Sequence, residues 1–408
     1  MDERTQDRSR SAPAVPPKLW DLLAPIGADE FLDRYWQRMP LHRPATGASM
    51  HDAMFRIGEL DEVLHAAAGN AGEFDYYAAG HTVPQSHYTG EGNYVQLNRL
   101  LGLYAKGGTL HVSNIQKYFQ PLRRFCAQAQ REFLVDCEAD LWLTRENAFT
   151  PYLHFDRYDI FVLQIHGRKR WRLFEPLPIA DKRITAALDW SEVGEPIIDV
   201  LVEPGDLIYI PPHAPHVVTT CDPHSVHIGI GLHPLTWRQI LDISLDECRE
   251  KPNALSETVP LDFVRSLAQA PEAALDAVRQ RVGRALGDID ANAVRDGIYA
   301  HFLLDVKHPD DEHVLSQILR GTPIEAETLL VRRDGSLARA YLAADGRAVL
   351  CYGGGGNISG PAAYLPALRF LAETHAPFTA LDIDPSLDLS ARVSLLQRAV
   401  DAGFCHRQ

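Results

Sequence analysis

Apolar residues recur at three- and four-residue intervals in Leu19-Trp20-Asp21-Leu22-Leu23 and again in Phe31-Leu32-Asp33-Arg34-Tyr35-Trp36, the repeat that gathers them on one helical face. Pro40 is expected to stop the second helix. Residues 76–115 mix Gly, His and Tyr with short alternating runs and read as loops and strands of a β-rich domain. A helical repeat returns over Gln116–Arg131, marked by Tyr118, Leu122, Phe125 and Ala129. It gives way to strand-like runs at Ala139–Leu143, Asp159–Ile165, Trp171–Phe174, Pro196–Val202, Leu207–Ile210 and Val226–Ile230. Gly and Pro turns separate them, Glu203-Pro204-Gly205-Asp206 most clearly, which predicts a sandwich or barrel. After Leu235 the period is helical again, at Trp237–Cys248 and Leu261–Leu286. Beyond Ile324, strands at Thr328–Arg332 and Arg347–Tyr352, a Gly run, and helices at Ala362–Thr374 and Ser390–Ala402 suit a small winged-helix-like module.

The chain's 408 residues, 46% hydrophobic and 23% charged, provide for an α+β protein of two or three domains. A net charge of -14 opposes broad neutralisation of nucleic-acid phosphates or of an anionic membrane surface. Six scattered cysteines without a Cys-x-x-Cys pair indicate neither a zinc ribbon nor a disulfide framework, and fit a reducing cytoplasm. Residues 1–17 are polar and Pro-rich with no apolar run, so they read as a disordered tail and not as a signal peptide. No apolar stretch is long enough to span a bilayer.

Candidate chemistry lies in Thr150-Pro151-Tyr152-Leu153-His154-Phe155-Asp156-Arg157-Tyr158. In an extended chain residues i and i+2 share a face, so His154 and Asp156 can converge on one ion. His216 follows in Pro211-Pro212-His213-Ala214-Pro215-His216, and two imidazoles with one carboxylate make the facial triad of non-haem Fe(II) oxygenases. His213, His224 and His227 compete with His216 for that role. A lone His-x-Asp is expected about once by chance in a chain with this many histidines. His308-Pro309-Asp310 is a second match, read as a solvated loop because its proline breaks strand pairing and its surroundings are acidic. What distinguishes the first is its place between a predicted strand and a hairpin whose returning arm, past Gly167, carries Lys169. Lys169 either holds the far carboxylate of a dicarboxylic cosubstrate or belongs with Arg168, Arg170 and Arg172 to a solvated basic face. Tyr352-Gly353-Gly354-Gly355-Gly356-Asn357, between a strand and a helix, lacks the spacing of a phosphate loop and reads as a flexible turn. There is no Gly-x-Ser-x-Gly elbow or His-Glu-x-x-His helix to anchor a hydrolase.

The segment Phe31 to Leu41, Gly107-Gly108-Thr109-Leu110, the His154 stretch and the Pro-Pro-His-Ala-Pro-His element together resemble the JmjC-type cupin oxygenases of the ribosomal oxygenase group. The specific motifs lie in the first two-thirds of the chain; the remainder matches in order of parts. The resemblance implies a double-stranded β-helix (jelly-roll) domain over 18–236, a helical dimerisation domain over 237–318 and a winged-helix-like domain over 319–408. It implies that His154, Asp156 and His216 bind Fe(II) and that Lys169 grips the cosubstrate 2-oxoglutarate. It further implies a homodimeric 2-oxoglutarate-dependent dioxygenase that uses O2 to hydroxylate a protein or peptide side chain, an arginine or histidine of a ribosomal protein being the pattern of the nearest relatives. Where that group often reads Asn-x-Tyr before the iron strand, this chain has Asp140-Leu141-Trp142, which changes the donors and acceptors presented there. That departure and the Gly run leave room for a peptide natural-product tailoring hydroxylase. A non-catalytic cupin-like peptide-binding module is the third reading.

Overall fold

The computed structural model describes residues 18–45, 51–78, 81–133, 135–146, 148–178, 188–249, 271–287 and 323–408 except 334–337, 344–345, 354–355 and 375, with scattered positions between 255 and 301. The tail and the His308-Pro309-Asp310 match lie outside the described residues, as does most of 261–270.

Short amphipathic helices open the chain, α1 Leu19–Leu23 and α2 Ala28–Arg34, and bury Leu19, Leu22, Leu23 and Phe31. The second helix ends at Arg34, ahead of Pro40. Strand β1 Leu41–Arg43 follows, then helices α3 His51–Met54 and α4 Leu60–Ala67 and strands β2 Phe74–Ala78 and β3 His81–Thr82. Helix α5 Leu97–Tyr104 interrupts the region expected to be loops and strands; its Asn98 and Gly102 break the apolar repeat. After β4 Thr109–Val112 comes α6 Gln120–Phe133, whose Leu122, Phe125, Cys126 and Ala129 enter the core.

Eight strands then run β5 Asp136–Arg145, β6 Phe149–His154, β7 Asp159–His166, β8 Lys169–Leu173, β9 Ile198–Val202, β10 Leu207–Ile210, β11 His216–Thr220 and β12 His224–His233. Together with β1–β4 they form two antiparallel sheets, one of eight strands in the order β1-β10-β7-β12-β5-β4-β2-β3 and one of four in the order β6-β11-β8-β9. This is the predicted jelly-roll type of barrel, with alternate residues of each strand facing inward. β6 contains Pro151 and lies at a sheet edge, where a missing backbone donor is tolerated.

The expected hairpin around Gly167 is corrected by this topology. β7 belongs to the large sheet and β8 to the small one, so Gly167 turns a corner between sheets instead of joining paired neighbours. Its φ is +64°, and an added Cβ would sit 2.1 Å from the His224 carbonyl oxygen. Gly167→Ala is therefore expected to destabilise the protein by about 2 kcal/mol or more, read as a lower melting temperature.

The chain divides into two units, 1–233 and 234–408. The second opens with helices α7 Trp237–Arg249 and α8 Pro271–Gly287. Its C-terminal part contains β13 Leu330–Arg332, β14 Ala338–Leu342, β15 Ala348–Tyr352, β16 Gly356–Gly360, helices α9 Leu365–Glu373 and α10 Leu389–Asp401, and β17 Cys405–Arg407. β14, β15 and β16 form an antiparallel meander and β13 pairs with β17. Tyr352 stands opposite Gly356 in paired strands, so a strand and not a helix follows the Gly run. Asp388 caps α10 by accepting from Ala391 N–H at 2.7 Å, and Leu368, Leu371, Leu395 and Leu396 fill the local core.

Candidate metal centre

His154 is the last residue of β6 and His216 the first of β11, and the antiparallel register sets them directly opposite each other. That pairing, not sequence distance, brings the two imidazoles to a centroid separation of 4.2 Å. Asp156 lies just past the end of β6, so it reaches the pair from a turn and not from the same strand face. Its carbonyl accepts the His213 backbone N–H at 2.7 Å, and His213 takes a left-handed φ of 63° to make that contact. Asp156 Oδ2 stands 3.6 Å from His216 Nε2 and 3.8 Å from His154 Nε2. One donor atom from each of the three residues lies within 4.8 Å of the others.

The rival histidines fall elsewhere. His213 contributes its backbone and sets its ring against Phe155, His224 pairs with the Tyr104 hydroxyl at 2.9 Å, and His227 faces Lys169. His216 Nδ1 lies 3.1 Å from the Ala214 carbonyl, which can only accept, so that nitrogen carries the hydrogen and Nε2 presents its lone pair to the centre. Burial holds His216 well below the usual histidine range, the neighbouring His154 adding to the effect. Burial also pushes the Asp156 carboxyl up, with His154 and His233 pulling it back. A half-buried carboxylate beside two imidazoles, one of them held neutral, is the donor set a divalent cation stabilises, and the fit to a 2-His-1-carboxylate metal is met.

The three donors open into a cleft of about 750 Å³, its mouth included, between the two sheets. Ile160, Val162, Trp171, Ile210 and Val218 supply apolar walls; Glu138, Asp140 and Trp142 line it at alternate positions of β5. Lys169 is wholly buried, with Nζ 3.1 Å from Thr144 Oγ1 and 2.7 Å from His227 Nδ1. Desolvation brings its ammonium down to about 7. The basic run therefore divides between inside and outside. Arg168 pairs with Asp222 and Arg170 with Asp199 on the exposed side, and Arg172 covers the Trp190 ring. Arg170→Ala is expected to leave the cleft's ligand affinity at the wild-type level, checked by titration beside the Lys169 variant.

Asp140 and Trp142 acquire partners the sequence did not announce. Asp140 accepts the Asn114 backbone N–H at 2.9 Å and approaches His111 Nε2 at 3.3 Å. Trp142 stacks on His111 at 4.0 Å. Burial would lower His111, but Asp140 and Asp75 outweigh it and raise the imidazole to about 9. His111, Thr144 and the Lys169-facing role of His227 were not legible in advance; the signal available was β5 alternation, which sends Glu138, Asp140, Trp142 and Thr144 to one face.

A family model for the JmjC domain matches residues 113–240, the span that holds all three donors and Lys169. Over that span the chain is similar to a JmjC domain. It is 26% identical over 275 residues to the bifunctional lysine-specific demethylase and histidyl-hydroxylase NO66 of Drosophila persimilis, covering 65% of this chain and 39% of that protein. It is 28% identical over 336 residues to ribosomal oxygenase 1 of Rattus norvegicus, covering 75% of this chain and 54% of the relative. The chain thus spans about half or less of the length of these two relatives. Among solved structures, Escherichia coli YcfD, a ribosomal oxygenase, superposes with TM-score 0.53 at 19% identity, in its complex with cobalt and 2-oxoglutarate, over 94% of this chain and 99% of that one. The chain therefore shares its fold with YcfD, in keeping with the barrel expected from the strand pattern. Among the described residues no helix is long and apolar enough to cross a membrane.

Proposed function

We propose that this protein is an Fe(II)- and 2-oxoglutarate-dependent oxygenase that hydroxylates a side chain of a protein or peptide, a ribosomal protein in the first instance. The observation that carries the reading is the convergence of His154, Asp156 and His216 on one cleft that His227 also lines, with the wholly buried Lys169 Nζ 2.7 Å from His227 Nδ1. His154 Nε2, the Asp156 carboxylate and His216 Nε2 would hold the metal and leave three octahedral positions for the cosubstrate and oxygen. When bound, ferrous ion supplies oxygen activation coupled to decarboxylation of 2-oxoglutarate to succinate and CO2, with hydroxylation of a substrate C–H.

The chain's own residues do the rest. Lys169, oriented by Thr144 and His227, pairs with the distal carboxylate and so fixes which end of the cosubstrate meets the metal. The apolar walls exclude water from the reacting groups. Glu138 and Asp140 present carboxylates along the same cleft, and with the net charge of -14 they favour a basic peptide over an acidic one.

The same reading takes 18–236 as the catalytic domain, 237–318 as a dimerisation domain and 319–408 as a winged-helix-like domain of a cytoplasmic homodimer. Its support in the second unit is apolar exposure: Trp237 is 85% exposed, and Leu241, Leu275 and Val278 are exposed as well on α7 and α8. The test is succinate formation from 2-oxoglutarate with Fe(II), O2 and basic ribosomal protein substrates, with intact-mass detection of one added oxygen. Turnover that needs all components and marks one residue is the expected result. A protein that binds such substrates but forms no succinate, with or without them, would contradict it.

A further inference from the structure

Between the metal donors and the outer strands of the large sheet lies a continuous file of aromatic rings. Trp171 stands 6.0 Å from the His216 ring and 5.6 Å from His227. His227 is stacked at 6.1 Å and 9° on Trp142, and Trp142 at 6.3 Å and 16° on Tyr77. The register explains the alignment: His227 on β12 is directly opposite Trp142 on β5, which is directly opposite His111 on β4, while Tyr77 lies on the next strand, β2. Trp171 is 3% exposed and its indole N–H, among the described atoms, has no hydrogen-bond partner. A buried donor left unpaired costs stability, and phenylalanine would fill most of the same space without that cost. What phenylalanine lacks is an easily oxidised ring. The file thus begins beside a metal ligand, uses indole, indole and phenol as its oxidisable members, and ends at a half-buried tyrosine.

We propose that Trp171, Trp142 and Tyr77 form a relay that carries an oxidising equivalent out of the metal site when no substrate C–H is within reach. The proposal rests on the reading that ferrous ion occupies the His154, Asp156 and His216 donors. Oxidation of 2-oxoglutarate by O2 to succinate and CO2 would leave a two-electron, oxygen-derived oxidant in the site. Two electrons delivered one at a time through Trp171, with two protons from solvent, reduce it to water, and each passes along the same path. Trp142 refills Trp171 across the His227 ring, and Tyr77 refills Trp142 while its phenolic proton passes to water, leaving a neutral phenoxyl radical at the periphery. A soluble thiol or ascorbate then returns one electron and one proton to Tyr77. Asp75 and Asp140, on either side of His111 at 3.6 and 3.3 Å, keep the surroundings of Trp142 net negative even with His111 protonated, which favours the transient positive charge on the indole. Oxidation is thereby drawn away from His154, Asp156 and His216.

The experiment uses the full chain loaded with Fe(II) and 2-oxoglutarate, mixed with O2 without peptide substrate and freeze-quenched for electron paramagnetic resonance, with tryptic mass mapping of the same samples. Bound iron and 2-oxoglutarate consumed are measured in parallel. The wild type is expected to show a tyrosyl radical and, without reductant, oxygen addition at Trp142 and Tyr77. Tyr77→Phe should remove the tyrosyl signal and raise oxygen addition at Trp142 several-fold. Trp171→Phe should lower both marks several-fold per 2-oxoglutarate consumed and shift oxidation onto the peptides bearing the metal donors; Trp142→Phe serves as the second break if that variant folds poorly. Bound iron and uncoupled 2-oxoglutarate consumption with marks insensitive to Tyr77, Trp142 and Trp171 would overturn the relay and leave the proposed function standing. A Trp171→Phe protein with a higher 2-oxoglutarate KM but an unchanged radical yield per turnover would also overturn it, assigning the indole to cosubstrate binding alone. Absence of bound iron would overturn both readings.

Discussion

Asp156→Ala is expected to lower Fe(II) affinity and 2-oxoglutarate turnover by on the order of 100-fold or more, beyond the loss typical of removing a residue that only supports a ligand. Asp156 is the sole anionic donor of the three and approaches both imidazoles within 4 Å, so no other described carboxylate in that group can replace it. The same substitution should not lower the melting temperature of the metal-free protein. Burial pushes the Asp156 carboxyl up, meaning that its ionised form is penalised there until a cation arrives, and alanine removes the penalty with the charge. Isothermal titration with Fe(II) under anaerobic conditions and a melting curve of the metal-free protein measure the two effects separately. A variant that unfolds with the metal absent would make Asp156 a structural residue.

Lys169→Met is expected to raise the 2-oxoglutarate KM by about 100-fold, the scale of removing one partner of a buried charge pair. Methionine keeps most of the side-chain volume, so the change isolates the ammonium. Affinity should also depend on pH in a defined direction. The free-protein ammonium titrates at about 7, lowered by desolvation, so below that value the cation is already present and affinity is flat. Above it, binding a carboxylate must take up a proton, and affinity falls by about tenfold per pH unit until the bound-state value is reached. In Lys169→Met that slope disappears. Titrations of 2-oxoglutarate from pH 6 to 9 on metal-loaded wild type and variant check it; an equal slope in both would place the titrating group elsewhere.

The jelly-roll was legible because its strands announce themselves locally. Leu207–Ile210 is buried at every residue and Asp159–His166 at five of eight, and Glu203-Pro204-Gly205-Asp206 marks the turn from Ile198–Val202 into Leu207–Ile210. β6 and β11 were not legible as strands, since Pro151 lies within one and Pro211, Pro212 and Pro215 precede the other. Their pairing is nonetheless what sets His154 opposite His216. A motif can name residues that converge, but the register that makes them converge is a property of distant chain segments. The same limit hid His111, which meets Trp142 across β4 and β5, and turned the presumed hairpin at Gly167 into a corner between sheets. In the second unit, β14, β16 and β17 escaped notice because each is only three to five residues long and carries little alternation.

The most direct test of the central claim is an anaerobic crystal structure of the chain with Fe(II) and 2-oxoglutarate, the metal located by anomalous scattering. The account predicts one ion bonded to His154 Nε2, an Asp156 carboxylate oxygen and His216 Nε2, with the distal carboxylate of the cosubstrate at Lys169 Nζ. An ion bound without one of those three donors, or a cosubstrate whose distal carboxylate turns away from Lys169, would contradict it.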